Sequence, residues 1–431
     1  MTFLPLILLG ILFVIGMPIA IALILAGIPY FASASAGIPA DVIIQKMITT
    51  TENNTMLAIP FFIAAGVMMN RSGITPRLMR FAVMLVGHFR GGLAQVNVLL
   101  SAMMGGISGS GAADAASDCK ILVPEMMKHG YKKPFCAALT AASCLITPII
   151  PPGIGLVLYG FVTGTSIGKL FAAGYVPGIL LTLLMMLLVY WISRKNNYGR
   201  QNEKLPTWKE FFSELKQSIW ALMLPVLLIV CLRSGLFTAT EGGAMLVLYS
   251  FVVGKFVYKE MKLKDLPDIF LEAMLGSCTV MLVMCAANAF AFYLSWERLP
   301  HTLSLALATI TTNKYVFLFI LKLLFIFLGM FMEVSSAIVI LIPLLMPAIE
   351  ALGIDMVHLG VVMVFNMCIG SISPPFGTVI YLVGPLLKIS VEEFTKALVP
   401  FLVLMLVMLM LITYVPQISL FLPNLLYGTG S

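Results

Sequence analysis

Residues Gly105 to Ser117 read GGISGSGAADAAS, and they lie between apolar runs in a chain that otherwise avoids charge. Four glycines weaken a helix there, while Ser108, Ser110, Ser117 and Asp114 place hydroxyls and an acid in the stretch. A carboxylate is costly at bilayer depth, and an intramembrane acid points to function by default. The stretch predicts a break in a membrane segment: the tip of a re-entrant helical hairpin.

The rest of the chain fits that setting. Of its 431 residues 60% are hydrophobic and 10% charged, against about a quarter charged in soluble domains. Residues 1–40, 134–168, 273–296 and 397–431 contain no Asp, Glu, Lys or Arg. With roughly 20 apolar residues per span, this composition predicts on the order of ten or more spanning or re-entrant segments. The runs are continuously apolar rather than alternating, which excludes a β-barrel. The N-terminal run has no basic leader or small-residue cleavage site and is expected to be a retained first span.

Basic residues cluster in Arg194–Lys216 and again at Lys255, Lys259, Lys262 and Lys264. The two apolar segments between them return the chain to the same side, so both clusters are expected to be cytoplasmic. They border spans and lack interleaved aromatics, which argues against nucleic-acid binding. Seven dispersed cysteines form no CxxC pair, so neither a disulfide framework nor a zinc site is expected. The glycine run lacks the Lys-Ser/Thr ending of a P-loop, GISGS misses the nucleophile elbow, and no His-Glu-x-x-His occurs. No enzyme signature remains.

An internal repeat is legible. ILVP at Ile121–Pro124 matches ILIP at Ile340–Pro343, a register that sets Asp114 opposite Glu333 and Ser117 opposite Ser336. TPIIPPGIGLVLYG at Thr147–Gly160 matches GSISPPFGTVIYLVG at Gly370–Gly384, each with a Pro-Pro pair. The expected domains are residues 1–200 and 201–431. Each would hold scaffold helices, an arm helix, a hairpin (near 100–124 and 322–347) and a broken helix (near 135–160 and 358–386). Paired interrupted segments in two halves point to a secondary transporter's binding site, and inverted topology is inferred. Freed carbonyls can coordinate a cation, and helix N-termini can face an anion. Asp114 would cap a helix or balance a cation, with Glu333, Ser335 and Ser336 at the matching tip. The basic segments Thr75–Gly92 and Lys262–Leu275 would be interfacial arm helices.

At MGGISGSGAADAAS, AALTAASCLITPIIPPGIGLVLYG, MFMEVSSAIVILIPLLMP and SISPPFGTVIYLVGPLL the chain resembles the large membrane subunit of TRAP (tripartite ATP-independent periplasmic) transporters. The resemblance implies an all-α, multi-pass inner-membrane fold similar to divalent-anion/sodium symporters, working as an elevator. It implies sodium-driven import of an organic acid, sialic acid first and a C4-dicarboxylate next. A periplasmic substrate-binding protein would deliver the acid, and a small four-helix membrane subunit would pair with this chain in the lipid bilayer. By motif, a first sodium site would use Ser108, Ser110, Asp114, Thr147 and Ile150. A second would use Gly329, Glu333, Gly370, Ser373 and Phe376, largely through carbonyls. Substrate would lie near Ser335, Ser336 and the pairs Pro151–Pro152 and Pro374–Pro375. Gly153 follows the first pair where Phe376 follows the second. A stand-alone sodium/dicarboxylate symporter and an ion channel are the rival readings; a channel would need a continuous pore.

Overall fold

Helices dominate wherever apolar runs are long, and they stop where glycine, proline or a polar cap intervenes. The computed structural model describes residues 3–33, 37, 39, 41–106, 109–199, 206–233 and 237–428. Among these the fold is all-helical. Six helices are long and apolar enough to cross a membrane, from Ile167–Lys195 to Val391–Tyr414. Other apolar helices are too short: Gly92–Gly105 has 14 residues, about 21 Å of helix against a hydrocarbon core of about 30 Å.

These short helices come in matching sets. In the first half Gly92–Gly105 turns back into Gly111–Lys128, followed by Lys133–Ser143, a break, and Ile154–Thr163. In the second half Lys314–Gly329 turns into Val334–Ala351, followed by Met356–Ile372, a break, and Thr378–Leu387. Both breaks hold a cis Pro-Pro bond, Pro151–Pro152 and Pro374–Pro375. The halves embrace reciprocally. Helix Gly111–Lys128 packs on Thr378–Leu387, and its counterpart Val334–Ala351 on Ile154–Thr163; Lys133–Ser143 packs on Val391–Tyr414, and Met356–Ile372 on Ile167–Lys195. A two-fold relation between the halves requires this reciprocity.

The structural register corrects one sequence match. The returning hairpin helices are both 18 residues long. Aligning their starts, Gly111 and Val334, also aligns the two Pro-Pro breaks. In this register Glu333 stands opposite Ser110, not Asp114, and Asp114 stands opposite Ala337. The ILVP/ILIP match is slipped by four residues, and a slip of about one turn keeps every side chain on nearly the same helix face. The motif therefore matched in the wrong place.

A second group of helices forms a platform. Leu266–Trp296 packs against Ile19–Phe31, Val42–Thr51 and Ala58–Arg71, and the last of these against Ala239–Val252. Asn288 Nδ2 donates to the Lys46 carbonyl at 2.9 Å and to Thr50 Oγ1 at 2.7 Å, and the Tyr30 hydroxyl donates to Glu297. Asn288 is thus a bridge between helices. The segment Thr75–Gly92, expected to be an arm, holds the amphipathic helix Ile74–Val86. It enters through Gly73, which has φ +78°. Arg77 pins the arm, binding Glu260 at 2.6 Å and lying 3.8 Å over the Tyr258 ring. The second predicted arm is not a separate helix. From Leu266 onward, Lys262–Leu275 runs without a break into the 31-residue helix Leu266–Trp296, which continues straight through Gly276, where the Ile63 side chain packs close. A separate short helix, Leu299–Ile310, precedes the second hairpin instead.

Candidate functional site

Two clusters and one cavity make up the site. In the first cluster Ser110 caps helix Gly111–Lys128, its Oγ accepting from the Ala113 amide at 3.5 Å. The capping role expected for Asp114 therefore falls to Ser110. Asp114, one turn into the helix, is 1% exposed. Thr147 Oγ1 lies 2.9 Å from Asp114 Oδ2 and 3.0 Å from the Ser101 carbonyl oxygen. One hydroxyl proton serves only one of these acceptors at a time. The other carboxylate oxygen, Oδ1, is buried, and the Ser101 hydroxyl stands beside the carboxylate as its second hydroxyl neighbour. A buried carboxylate met only by hydroxyls is costly unless a cation or proton joins it. Ile150 is buried against Gly105, where an added Cβ would come within 2.7 Å of the Ile150 Cβ. Ser108 lies outside the described residues.

The second cluster is built from backbone. Gly329 and Gly370 touch: a Cβ on Gly370 would fall 2.6 Å from the Gly329 Cα and 2.6 Å from the Ile326 carbonyl oxygen. Ser373 is buried and spends its hydroxyl on the Ile369 carbonyl at 2.8 Å. That leaves its own carbonyl, which accepts the Gly377 amide at 3.0 Å. Phe376 is exposed, and its ring pairs with Phe331 at 4.9 Å. Glu333 differs from Asp114. It occupies the N-cap position of Val334–Ala351, makes no side-chain cap bond there, and is exposed.

Between the clusters lies a cavity of about 130 Å³. Gly111, Ile154, Val334 and Thr378 line it, and each is the first residue of its helix. Four helix N-termini thus converge on one cavity, two from the hairpins and two from the segments after the breaks. Each carries about half a positive charge and unpaired amides. Ser110, Glu333 and Ser335 are also at the wall, as is Val280 from the platform. Ser336 is buried beside it, and Pro151, Pro152, Pro374 and Pro375 are not among its lining residues. Their place is taken by Pro148, Ser371 and Thr378, on either side of the breaks.

Sequence reading missed a buried tier beneath Asp114. Asn97 Nδ2 donates to Asp118 Oδ2 at 2.9 Å and to Thr140 Oγ1 at 3.3 Å, and Ser143 Oγ donates to Asn97 Oδ1 at 2.7 Å. The signal was present: Asn97 and Asp118 lie four residues from Ser101 and Asp114 on the same helix faces, and Ser143 ends the helix whose following turn carries Thr147. Among the described residues no basic side chain pairs with Asp114, Asp118 or Glu333.

Paired broken hairpins whose helix N-termini close on one cavity, within a bundle of apolar helices, define a multi-pass membrane protein of transporter architecture. The chain belongs to the DctM component family of tripartite ATP-independent periplasmic transporters, whose model matches residues 6–418. It is 37% identical over 423 residues to the sialic acid TRAP transporter large permease protein SiaM of Vibrio cholerae, covering 98% of each chain. It is likewise 37% identical over 386 residues to the C4-dicarboxylate large permease protein DctM of Pseudomonas aeruginosa, covering 88% of each. Against the sialic acid permease protein SiaT of Haemophilus influenzae it is 36% identical over 412 residues, 96% of this chain but only 66% of that longer one. Its fold is similar to the solved YdaH transporter of Alcanivorax borkumensis, with a TM-score of 0.64 at 13% identity, over 90% of this chain and 89% of that one. The permease names of these relatives support a transport role rather than an enzymatic one.

Proposed function

We propose that this chain is the translocating subunit of a sodium-coupled importer of an organic acid, with sialic acid the first candidate and a C4-dicarboxylate the second. The observation that carries the reading is the convergence of four helix N-termini on one cavity. Such a site binds a carboxylate through amides and dipoles without a fixed base. Sodium fits the clusters beside it. The Asp114 carboxylate is buried among hydroxyls with no basic partner among the described residues, and at Gly329–Gly370 two main chains meet with no side chain between them. Asp114, Thr147 and Ile150 would hold one ion, with Ser108 and Ser110 beside them. Gly329, Gly370, Ser373, Phe376 and Glu333 would hold the other.

The halves would be inverted in the inner bacterial membrane, and the hairpins with the broken helices would move as an elevator against the platform. The pinned arm Ile74–Val86 supports this, since it joins the two groups through Gly73. A periplasmic binding protein and a small four-helix membrane subunit would complete the system. The experiment is uptake of labelled sialic acid and of labelled succinate into proteoliposomes holding the complete transporter, with and without an inward sodium gradient. Uptake of one acid that collapses without sodium is expected. Uptake indifferent to sodium would overturn the coupling.

A further inference from the structure

The tier beneath Asp114 braces three helices at one level: Asn97 from Gly92–Gly105, Asp118 from Gly111–Lys128, and Thr140 with Ser143 from Lys133–Ser143. These same helices, or their immediate continuations, carry Ser101, Asp114 and Thr147 one turn above. Asn97, Thr140 and Ser143 are 0% exposed and Asp118 3%. The tier is polarised. Ser143 Oγ has two acceptors in reach, the Asn97 amide oxygen at 2.7 Å and the Thr140 carbonyl at 3.2 Å; with its proton on the nearer one, the amide protons face Asp118 and Thr140. Asp118 thus meets an amide donor, and no base pairs with it among the described residues. Directly above, Asp114 is buried with only the hydroxyls of Thr147 and Ser101 beside its carboxylate. Two buried carboxylates one turn apart, with no cationic side chain, are stabilised by a bound cation or by protons. The second half has no carboxylate at this level. In the structural register Asn97, Asp118, Thr140 and Ser143 stand opposite Ile320, Leu341, Met363 and Asn366, and the buried Asn366 donates to the Lys322 carbonyl at 3.2 Å.

We propose that Asp118 is a positioning residue of the first cation site: aimed by Asn97 and anchored through Ser143, its carboxylate supplies the second buried negative charge that holds a monovalent cation at Asp114. This rests on the reading of the Asp114 cluster as a cation site. It makes the two sites unequal, since the first has a carboxylate in its second layer and the second has Asn366 but no acid there. Residues in such second layers alter metal affinity by about 10–100-fold.

The test is thermal stabilisation of the purified full chain titrated with NaCl, with KCl and choline chloride as controls. Asp118→Asn keeps an acceptor for Asn97 and removes only the charge. It is expected to raise the half-saturating NaCl concentration by at least about tenfold, while Asp118→Glu stays within about threefold of wild type. An Asp118→Asn chain that melts lower but keeps its half-saturating concentration would show a brace and nothing more, and would overturn the proposal. Should that variant fail to fold, Ser143→Ala removes one buried hydroxyl and lets the amide turn; about threefold weaker sodium response is expected, and an unchanged one overturns the proposal. A wild-type chain with no sodium-specific stabilisation would sink the cation-site reading itself, a result distinct from either variant outcome.

Discussion

Replacing Gly370 with alanine places a methyl where two backbones meet. The added Cβ would lie 2.6 Å from the Gly329 Cα and 2.6 Å from the Ile326 carbonyl oxygen. Non-bonded carbons rest about 3.5–4.0 Å apart, so the hairpin and the broken helix must separate by about 1 Å. Both obstacles are main chain and cannot rotate away. Overpacking of this kind costs about 1–3 kcal/mol, and the upper half of that range applies here. A cost of about 2 kcal/mol changes an equilibrium about 30-fold. The substitution leaves every carbonyl in place, so it probes spacing rather than ligand identity. Gly384→Ala is the matched control: it sits in the next helix, where the nearest atom to an added Cβ is the Ile389 carbonyl oxygen at 3.7 Å. There alanine gains up to about 1 kcal/mol of helix propensity. We expect Gly370→Ala to lower the melting temperature by about 2–4 °C, scaling the usual shift per kcal/mol to this chain length. In proteoliposomes it should raise the sodium concentration for half-maximal uptake about tenfold or more, with Gly384→Ala close to wild type. If the two variants behave alike in both assays, the backbone contact does not define the second site.

Other outcomes follow from the same geometry. Glu333→Gln, at an exposed cap with no side-chain cap bond, should leave thermal stability within about 0.5 kcal/mol while sodium-dependent uptake falls, as a sodium titration would report. Thr147→Val removes the one hydroxyl shared by Asp114 and the Ser101 carbonyl; a loss of about 1–3 kcal/mol should appear in the melting curve and shrink when NaCl is added. Gly73→Ala puts a Cβ 2.0 Å from Glu260 Oε2 at a φ of +78°, so it should loosen the Arg77–Glu260 pair and slow uptake. Uptake at the wild-type rate would remove Gly73 as the joint of the arm.

Sequence alone determined the class of this protein and the places where its helices fail. Uncharged apolar runs dictate membrane helices because backbone polar groups must pair within the segment. Glycine and Pro-Pro break helices by local sterics that need no neighbours, so the hairpin turn between Gly105 and Gly111 and both breaks were legible, as was the acid Asp114 beside the first turn. What the tertiary structure decided is how these pieces meet. The register of the halves was beyond sequence reading because a four-residue slip preserves helix faces, so Asp114 and Glu333 looked equivalent although one is buried and the other lines the cavity. The second arm was misplaced because basic residues before Leu266 mark a boundary but do not end a helix. The meeting of four N-termini, the Gly329–Gly370 contact and the tier of Asn97, Asp118 and Ser143 all join residues far apart in the chain. Long-range packing sets such contacts, and local propensity carries no record of them.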